Sequence, residues 1–195
     1  MDAQNAKTAL TTQHFNAAEL AHSLEEIQNS SNRAVALIER IRNFIKPNQT
    51  HQKLVDLQRL TRDITDLMRI RARANDVQFQ LDLDAPNALV WGDRVELSQI
   101  MVNVLRNAIE AMQHSTTRFV TVRLTTTQDR CILRFSDTGP GIAPELLDRV
   151  GTPFVTSKAD GLGVGLAISR AIAEKHGGTL TITDSDSGQD RKSVV

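Results

Sequence analysis

The sequence predicts an α+β fold: a two-layer sandwich of a mixed sheet covered by helices on one face, preceded by one long coiled-coil-like helix. Three observations carry this. Helix and strand patterns alternate irregularly, and neighbouring strands are joined by short turns. Ala17, Leu20, Leu24, Ile27, Ser31, Ala34, Ile38, Ile41 and Ile45 recur at steps of three and four residues, which is a coiled-coil-like seam. Glycine-rich turns gather in the C-terminal half, around Asp137-Thr-Gly-Pro-Gly141 and Gly161-Leu-Gly-Val-Gly-Leu166.

Taken in order, residues 1–15 read as a flexible N-terminus. A helix follows over 16–46, with Asn16 as N-cap candidate and Glu19 three residues on in capping-box fashion. Pro47 ends it, and 47–53 is a linker. The domain proper spans 54–184. It starts with a helix over 56–74, strands at 77–83 and 88–91, and a helix over 93–113 that is apolar at Ile100, Val104, Leu105, Ala108, Ile109 and Met112. Strands at 118–126 and 130–137 come next, then a short helix near 144–149 and a brief lid. A helix over 165–176 is stopped by His176-Gly-Gly178, and Thr179-Leu-Thr-Ile-Thr183 closes a strand over 178–183. The run from Asp184 to Val195 is polar and charged, so 185–195 reads as a disordered or altered tail that leaves the sheet short of an edge strand.

Composition narrows the function classes. The 195 residues suit one helical segment and one α/β domain with a core of its own. Charge balances at 23 basic against 23 acidic residues, so there is no electrostatic case for nucleic acid or a membrane surface. Arg69, Arg71 and Arg73 read as a solvated helix end. Cys131 is the one cysteine, which excludes an intrachain disulfide framework. No apolar run reaches membrane-spanning length and no signal-peptide pattern is present, so a cytoplasmic module is expected.

Candidate chemistry begins at Asp137, which ends a strand and enters a Gly-Pro-Gly turn. An ionised carboxylate accepts hydrogen bonds only, so it suits the amino group of adenine and repels the carbonyl of guanine. Gly139 and Gly141 let the backbone approach such a base. The structural alternative is a β-turn with Asp at its first position. Gly161, Gly163 and Gly165 run straight into a helix, whose free N–H groups suit polyphosphate. Their spacing matches neither the Walker loop nor the Rossmann fingerprint, and a flexible surface turn is the bland alternative. Asn103 and Asn107, four apart, share a face of the 93–113 helix, where one amide carbonyl would serve a magnesium ion. Alone they would read as an exposed amide pair.

Together with Pro153-Phe-Val-Thr-Ser-Lys158, these segments resemble the N box, first glycine box, F box and second glycine box of sensor histidine kinases. That places the ATP-binding domain in the gyrase, heat-shock chaperone, histidine kinase and MutL superfamily, with its Bergerat-type ATP fold. The resemblance covers about residues 54 to 184. It implies Asn107 as the magnesium ligand, Asn103 as its companion near the phosphates, Asp137 as the adenine contact, and Gly139 and Gly141 as the turn beneath the base. Lys158 and the stretch Gly161, Leu162, Gly163, Val164, Gly165 and Leu166 look like lid and phosphate contacts. Glu110 departs from the pattern, since many relatives have lysine there, and this leaves one phosphate contact open.

Upstream, Arg33 to Phe44 resembles the second helix of the dimerisation and histidine-phosphotransfer hairpin. The first helix of that hairpin, which carries the phosphoacceptor histidine, is missing from the pattern. His22 is the tempting substitute, but Ser23 and Ile27 stand where the family has an acidic residue and a proline. The resemblance therefore implies transfer of the γ-phosphoryl of MgATP to a histidine outside this chain, then to the receiver domain of a response regulator. ATP and Mg2+ are the cofactors expected. Partners are that receiver domain, the parent's acceptor helix and a second copy docking through helix 16–46, with neither nucleic acid nor membrane. As written, the chain should bind nucleotide without phosphorylating itself. Rival readings are a serine/threonine kinase or ATPase of the same superfamily, and a non-catalytic scaffold. Asn103 speaks against the ATPase, because an amide cannot accept a proton from water.

Overall fold

The computed structural model describes residues 21–28, 51–143, 145, 149–153, 155, 163–184 and 191–194. The chain divides into two compact units, Met1–Gln49 and Thr50–Val195. In the first, residues 21–28 form helix α1, and the rest of the expected 16–46 helix lies outside the described residues.

The second unit runs β1 (Lys53–Asp56), α2 (Leu57–Arg73), β2 (Gln78–Asp82), β3 (Leu89–Gly92), α3 (Arg94–Ala111), β4 (Phe119–Thr126), β5 (Cys131–Asp137), α4 (Gly165–Lys175), β6 (Thr181–Asp184) and β7 (Arg191–Val194). Helix α2 starts where the Asp56 side chain accepts from Arg59 N at 3.0 Å. Leu57, Leu60, Ile64, Met68 and Ala72 form its buried stripe at helical spacing. Thr61 and Thr65 are buried on the same side, and their hydroxyls donate to the carbonyls of Leu57 and Thr61 at 2.7 Å each. Asp76, at φ 55°, then turns the chain into β2.

Five strands form one mixed sheet in the order β2-β4-β5-β7-β6. The β2–β4 pair is parallel, and the other three pairs are antiparallel. On β4, Val120, Val122 and Leu124 point into the core between exposed Arg123 and Thr125. Leu133 and Phe135 of β5 join them, and the buried faces of α2 and α3 complete the cluster. The α+β sandwich expected from the pattern is therefore the fold observed.

Two strands depart from expectation. Lys53, placed in the 47–53 linker, opens β1, which pairs antiparallel with β3 as a separate two-stranded sheet. Four residues with only Val55 buried give too little alternation to register as a strand. Residues 191–194, read as polar tail, form β7 between β5 and β6. The sheet is thus not short of a strand. Backbone N–H and C=O groups make the ladder whatever the side chains, so a strand held from both sides needs no apolar alternation of its own. The short helix expected near 144–149 lies mostly outside the described residues.

Candidate nucleotide site

Helix α3 is the wall on which the candidate residues assemble. Asp93 caps it, accepting from Val95 N at 2.8 Å and Glu96 N at 3.3 Å. Burial alone would raise the Asp93 carboxyl. The backbone N–H groups of Val95, Glu96 and His51, with His176 nearby, outweigh that and hold it below the usual carboxylate range. Leu97, Ile100, Met101, Val104, Leu105, Ala108 and Ile109 face the core. Asn103, Arg106, Asn107 and Glu110 form a half-buried polar stripe on another side of the same helix.

The two asparagines have different surroundings. Asn103 Nδ2 donates to Gly165 O and to Ser169 Oγ, both at 3.3 Å, and so joins α3 to the first turn of α4. Its Oδ1 accepts from Arg106 Nη2 at 3.3 Å. Asn107 makes no hydrogen bond among the described residues, although its side chain is half-buried. A half-buried amide without a protein partner has acceptor capacity to offer a ligand.

At the end of β5, Asp137 is 6% exposed and its Oδ1 accepts from Gly139 N at 2.9 Å, which fixes the carboxylate. A Cβ on Gly139 would stand 2.6 Å from that oxygen and 3.3 Å from Ala111 Cβ, so only glycine fits between the carboxylate and α3. Thr138 holds the turn from the other side. Its Oγ1 donates to Thr117 O at 2.7 Å and accepts from Phe119 N at 3.0 Å. Sequence reading passed over Thr138, whose position between Asp137 and Gly139 was the available signal.

Of the second glycine stretch, Gly163, Val164, Gly165 and Leu166 are described, whereas Lys158, Gly161 and Leu162 lie outside the described residues. Gly163 has φ 65°, and a Cβ there would lie 2.6 Å from the backbone of Val155. Val164 is the N-cap of α4 and offers no side-chain hydrogen bond, so it leaves the first-turn N–H groups without that cap. Asn103 touches Gly165, and Ala111, one turn beyond Asn107, borders Gly139. The structure thereby brings Asn103, Asn107, Gly139 and Gly165 to one side of α3, with Asp137 beside Gly139.

Two further features were not visible in the sequence. Glu110 Oε1 accepts from Arg71 Nη2 of α2 at 3.0 Å and lies 3.9 Å from Arg106 Nε, so two guanidinium groups balance its charge. His176 Nε2 accepts from Asp93 N at 3.0 Å, and its Nδ1 lies 2.8 Å from Ile172 O. With Nδ1 carrying the proton, the neutral ring latches the end of α4 to the start of α3.

Residues 92–195 match the family model described as histidine kinase-, DNA gyrase B-, and HSP90-like ATPase. The chain is 34% identical over 174 residues to the sensor protein FixL of Bradyrhizobium diazoefficiens, covering 89% of this chain and 34% of that protein. It is 33% identical over 187 residues to the C4-dicarboxylate transport sensor protein DctB of Rhizobium meliloti, covering 95% of this chain and 30% of the relative. Among solved structures, the catalytic domain of histidine kinase ThkA superposes with a TM-score of 0.63 at 25% identity, over 74% of this chain and 95% of its own. The chain spans about a third of the length of the two sensor proteins. With more than half its residues inside the family model, it belongs to the histidine kinase-, DNA gyrase B-, and HSP90-like ATPase family.

Proposed function

We propose that residues 54–184 with β7 are the ATP-binding catalytic module of a sensor histidine kinase, which moves the γ-phosphoryl of MgATP to a histidine on a separate helix. A receiver domain of a response regulator is the onward acceptor, in keeping with the likeness to sensor proteins. The observation that carries this reading is the buried carboxylate of Asp137, oriented by Gly139 N–H beside the wall that bears Asn103 and Asn107. In this reading Asp137 accepts from the adenine amino group, and Gly139 and Gly141 let the base lie against the backbone. Gly163, Val164, Gly165 and Leu166 present N–H groups at the start of α4 to the phosphates, with Lys158, Gly161 and Leu162 as the lid-side contacts.

The magnesium ion is fitted by Asn107. Among the described residues no cluster of three His, Cys, Asp or Glu could hold a metal, whereas the half-buried Asn107 amide has no competing partner. One amide oxygen plus phosphate and water oxygens is a suitable environment for Mg2+. When bound, the ion would neutralise charge on the phosphates. The chain's own residues contribute positioning, since phosphoryl transfer asks little covalent chemistry of the protein. Asn103 Nδ2 is directed to α4, and an amide there supplies no base for water, which favours transfer over hydrolysis. Helix 16–46 would supply the second helix of a dimerisation hairpin, pairing with a second copy.

Base choice tests the site. ADP is expected to bind far better than GDP, and Asp137→Ala to erase the difference. A charge-assisted hydrogen bond is worth roughly 1.5 to 3 kcal/mol, or about ten- to a hundred-fold in affinity. Equal calorimetric affinities for ADP and GDP in the unmodified chain would reject the assignment.

A further inference from the structure

Arg106 lies on the polar stripe of α3 between Asn103 and Asn107, and its side chain is a quarter exposed. Its Nη2 stands 3.5 Å from where a Cβ on Gly165 would be, so the guanidinium lies against the first residue of α4. We propose that Arg106 is a phosphate-gripping residue of this site, its guanidinium fork holding oxygens of the nucleotide's polyphosphate at the start of α4. The inference rests on the nucleotide reading of the pocket and adds a residue that reading did not contain.

Three features support it. The first is place. Asn103, one turn before Arg106 on α3, holds Gly165 O and Ser169 Oγ, so the stripe and the start of α4 are held together. A cation at that junction adds a side-chain charge to the uncapped N–H groups of the first turn, and both attract the same anion. The second is the geometry of its contacts along α3. Nη2 meets Asn103 Oδ1 at 3.3 Å, and Nε stands 3.9 Å from Glu110 Oε1, both longer than a good charge-assisted hydrogen bond. These contacts aim the fork while leaving much to gain from phosphate oxygens. The third is that Glu110 has a closer partner. Arg71 reaches it at 3.0 Å from α2, so Glu110 keeps a cation when Arg106 turns to a ligand. This chain carries an acid at position 110, and Arg106, one turn earlier, brings positive charge to the same stripe.

The nearest alternative is a structural one, in which Arg106 only balances Glu110 and props Asn103. The two roles separate by ligand. A structural arginine supports adenosine and ADP alike, whereas a phosphate contact acts on ADP and ATP alone. The test uses the full chain, with ADP titrated by calorimetry in chelator and adenosine followed by NMR shifts. Arg106→Gln is expected to weaken ADP about ten- to a hundred-fold and to leave adenosine within about twofold. Arg106→Lys should recover part of the loss, since it restores the charge without the planar fork. Arg71→Gln, which removes the close partner of Glu110 but no proposed phosphate contact, should leave ADP affinity unchanged.

An equal fall in adenosine and ADP affinity overturns the proposal, as does unchanged ADP affinity in Arg106→Gln. Weakening in Arg71→Gln as large as in Arg106→Gln also overturns it, because charge balance at Glu110 would then be the cause. If the unmodified chain binds neither ADP nor adenosine, the nucleotide reading fails and this inference falls with it. Loss confined to Arg106→Gln with normal binding in the parent chain leaves both standing.

Discussion

Asn103 and Asn107 show how one residue type divides its work within a single turn of helix. Both were chosen from spacing alone, which places them on one face of α3. Spacing could not show that Asn103 reaches Gly165 and Ser169 more than sixty residues away, while Asn107 keeps its amide without a partner among the described residues. Asp137 and Gly139 were more legible, because a carboxylate followed by a tight glycine turn is a local pattern. The structure adds the 2.9 Å bond that aims the carboxylate. The unpartnered amide carries a prediction about the ion. Asn107→Ala is expected to lower MgATP affinity while changing binding in chelator much less, because the lost oxygen acts through the metal. Titrations with and without magnesium decide it. Equal losses in both would make Asn107 a structural residue.

At the scale of elements, the strongly patterned helices were readable and the weakly patterned strands were not. Helices α2 and α3 carry long apolar stripes and aspartate N-caps, so their ends fell within two residues of expectation. Strands β1 and β7 have four residues each, and Arg191-Lys-Ser-Val194 lacks apolar alternation altogether. What recruits β7 is tertiary: the edge of β5 and the backbone of β6 both need pairing, and no local window contains that requirement. The register sets Arg191 opposite Asp137, so the strand that composition dismissed lies next to the proposed adenine contact. Because β6 reaches the sheet only through β7, a chain stopped after Asp184 should expose the edge of β5 and leave β6 without its ladder. Lower thermal stability and weaker ADP binding are expected of that truncation, read by calorimetry on both counts. A truncated chain with unchanged melting temperature and ADP affinity would show that β7 does not support the sheet.

At the scale of the molecule, the described fold supplies a nucleotide pocket and the reaction needs an acceptor brought to it. Helix and glycine patterns were enough to identify the pocket-bearing layer, since its residues cluster in sequence around α3, the end of β5 and the start of α4. The acceptor is a different matter. His22 lies in α1 with its side chain 74% exposed and its ring 3.8 Å from Glu26, one helical turn away. An exposed imidazole beside a carboxylate is ordinary for a solvated helix, and Ser23 and Ile27 give it neither the acidic neighbour nor the proline that the resemblance associates with an acceptor. Incubation with γ-labelled ATP and magnesium is therefore expected to leave the chain itself without acid-labile phosphate. Adding a hairpin that bears an acceptor histidine should place the label on the hairpin, because positioning and charge neutralisation reside in the pocket and only the nucleophile is supplied from outside. Label on the chain alone that disappears in His22→Gln would make His22 the acceptor and would recast α1 as the phosphotransfer helix. ADP binding measured on the same preparation distinguishes a silent acceptor from a damaged pocket.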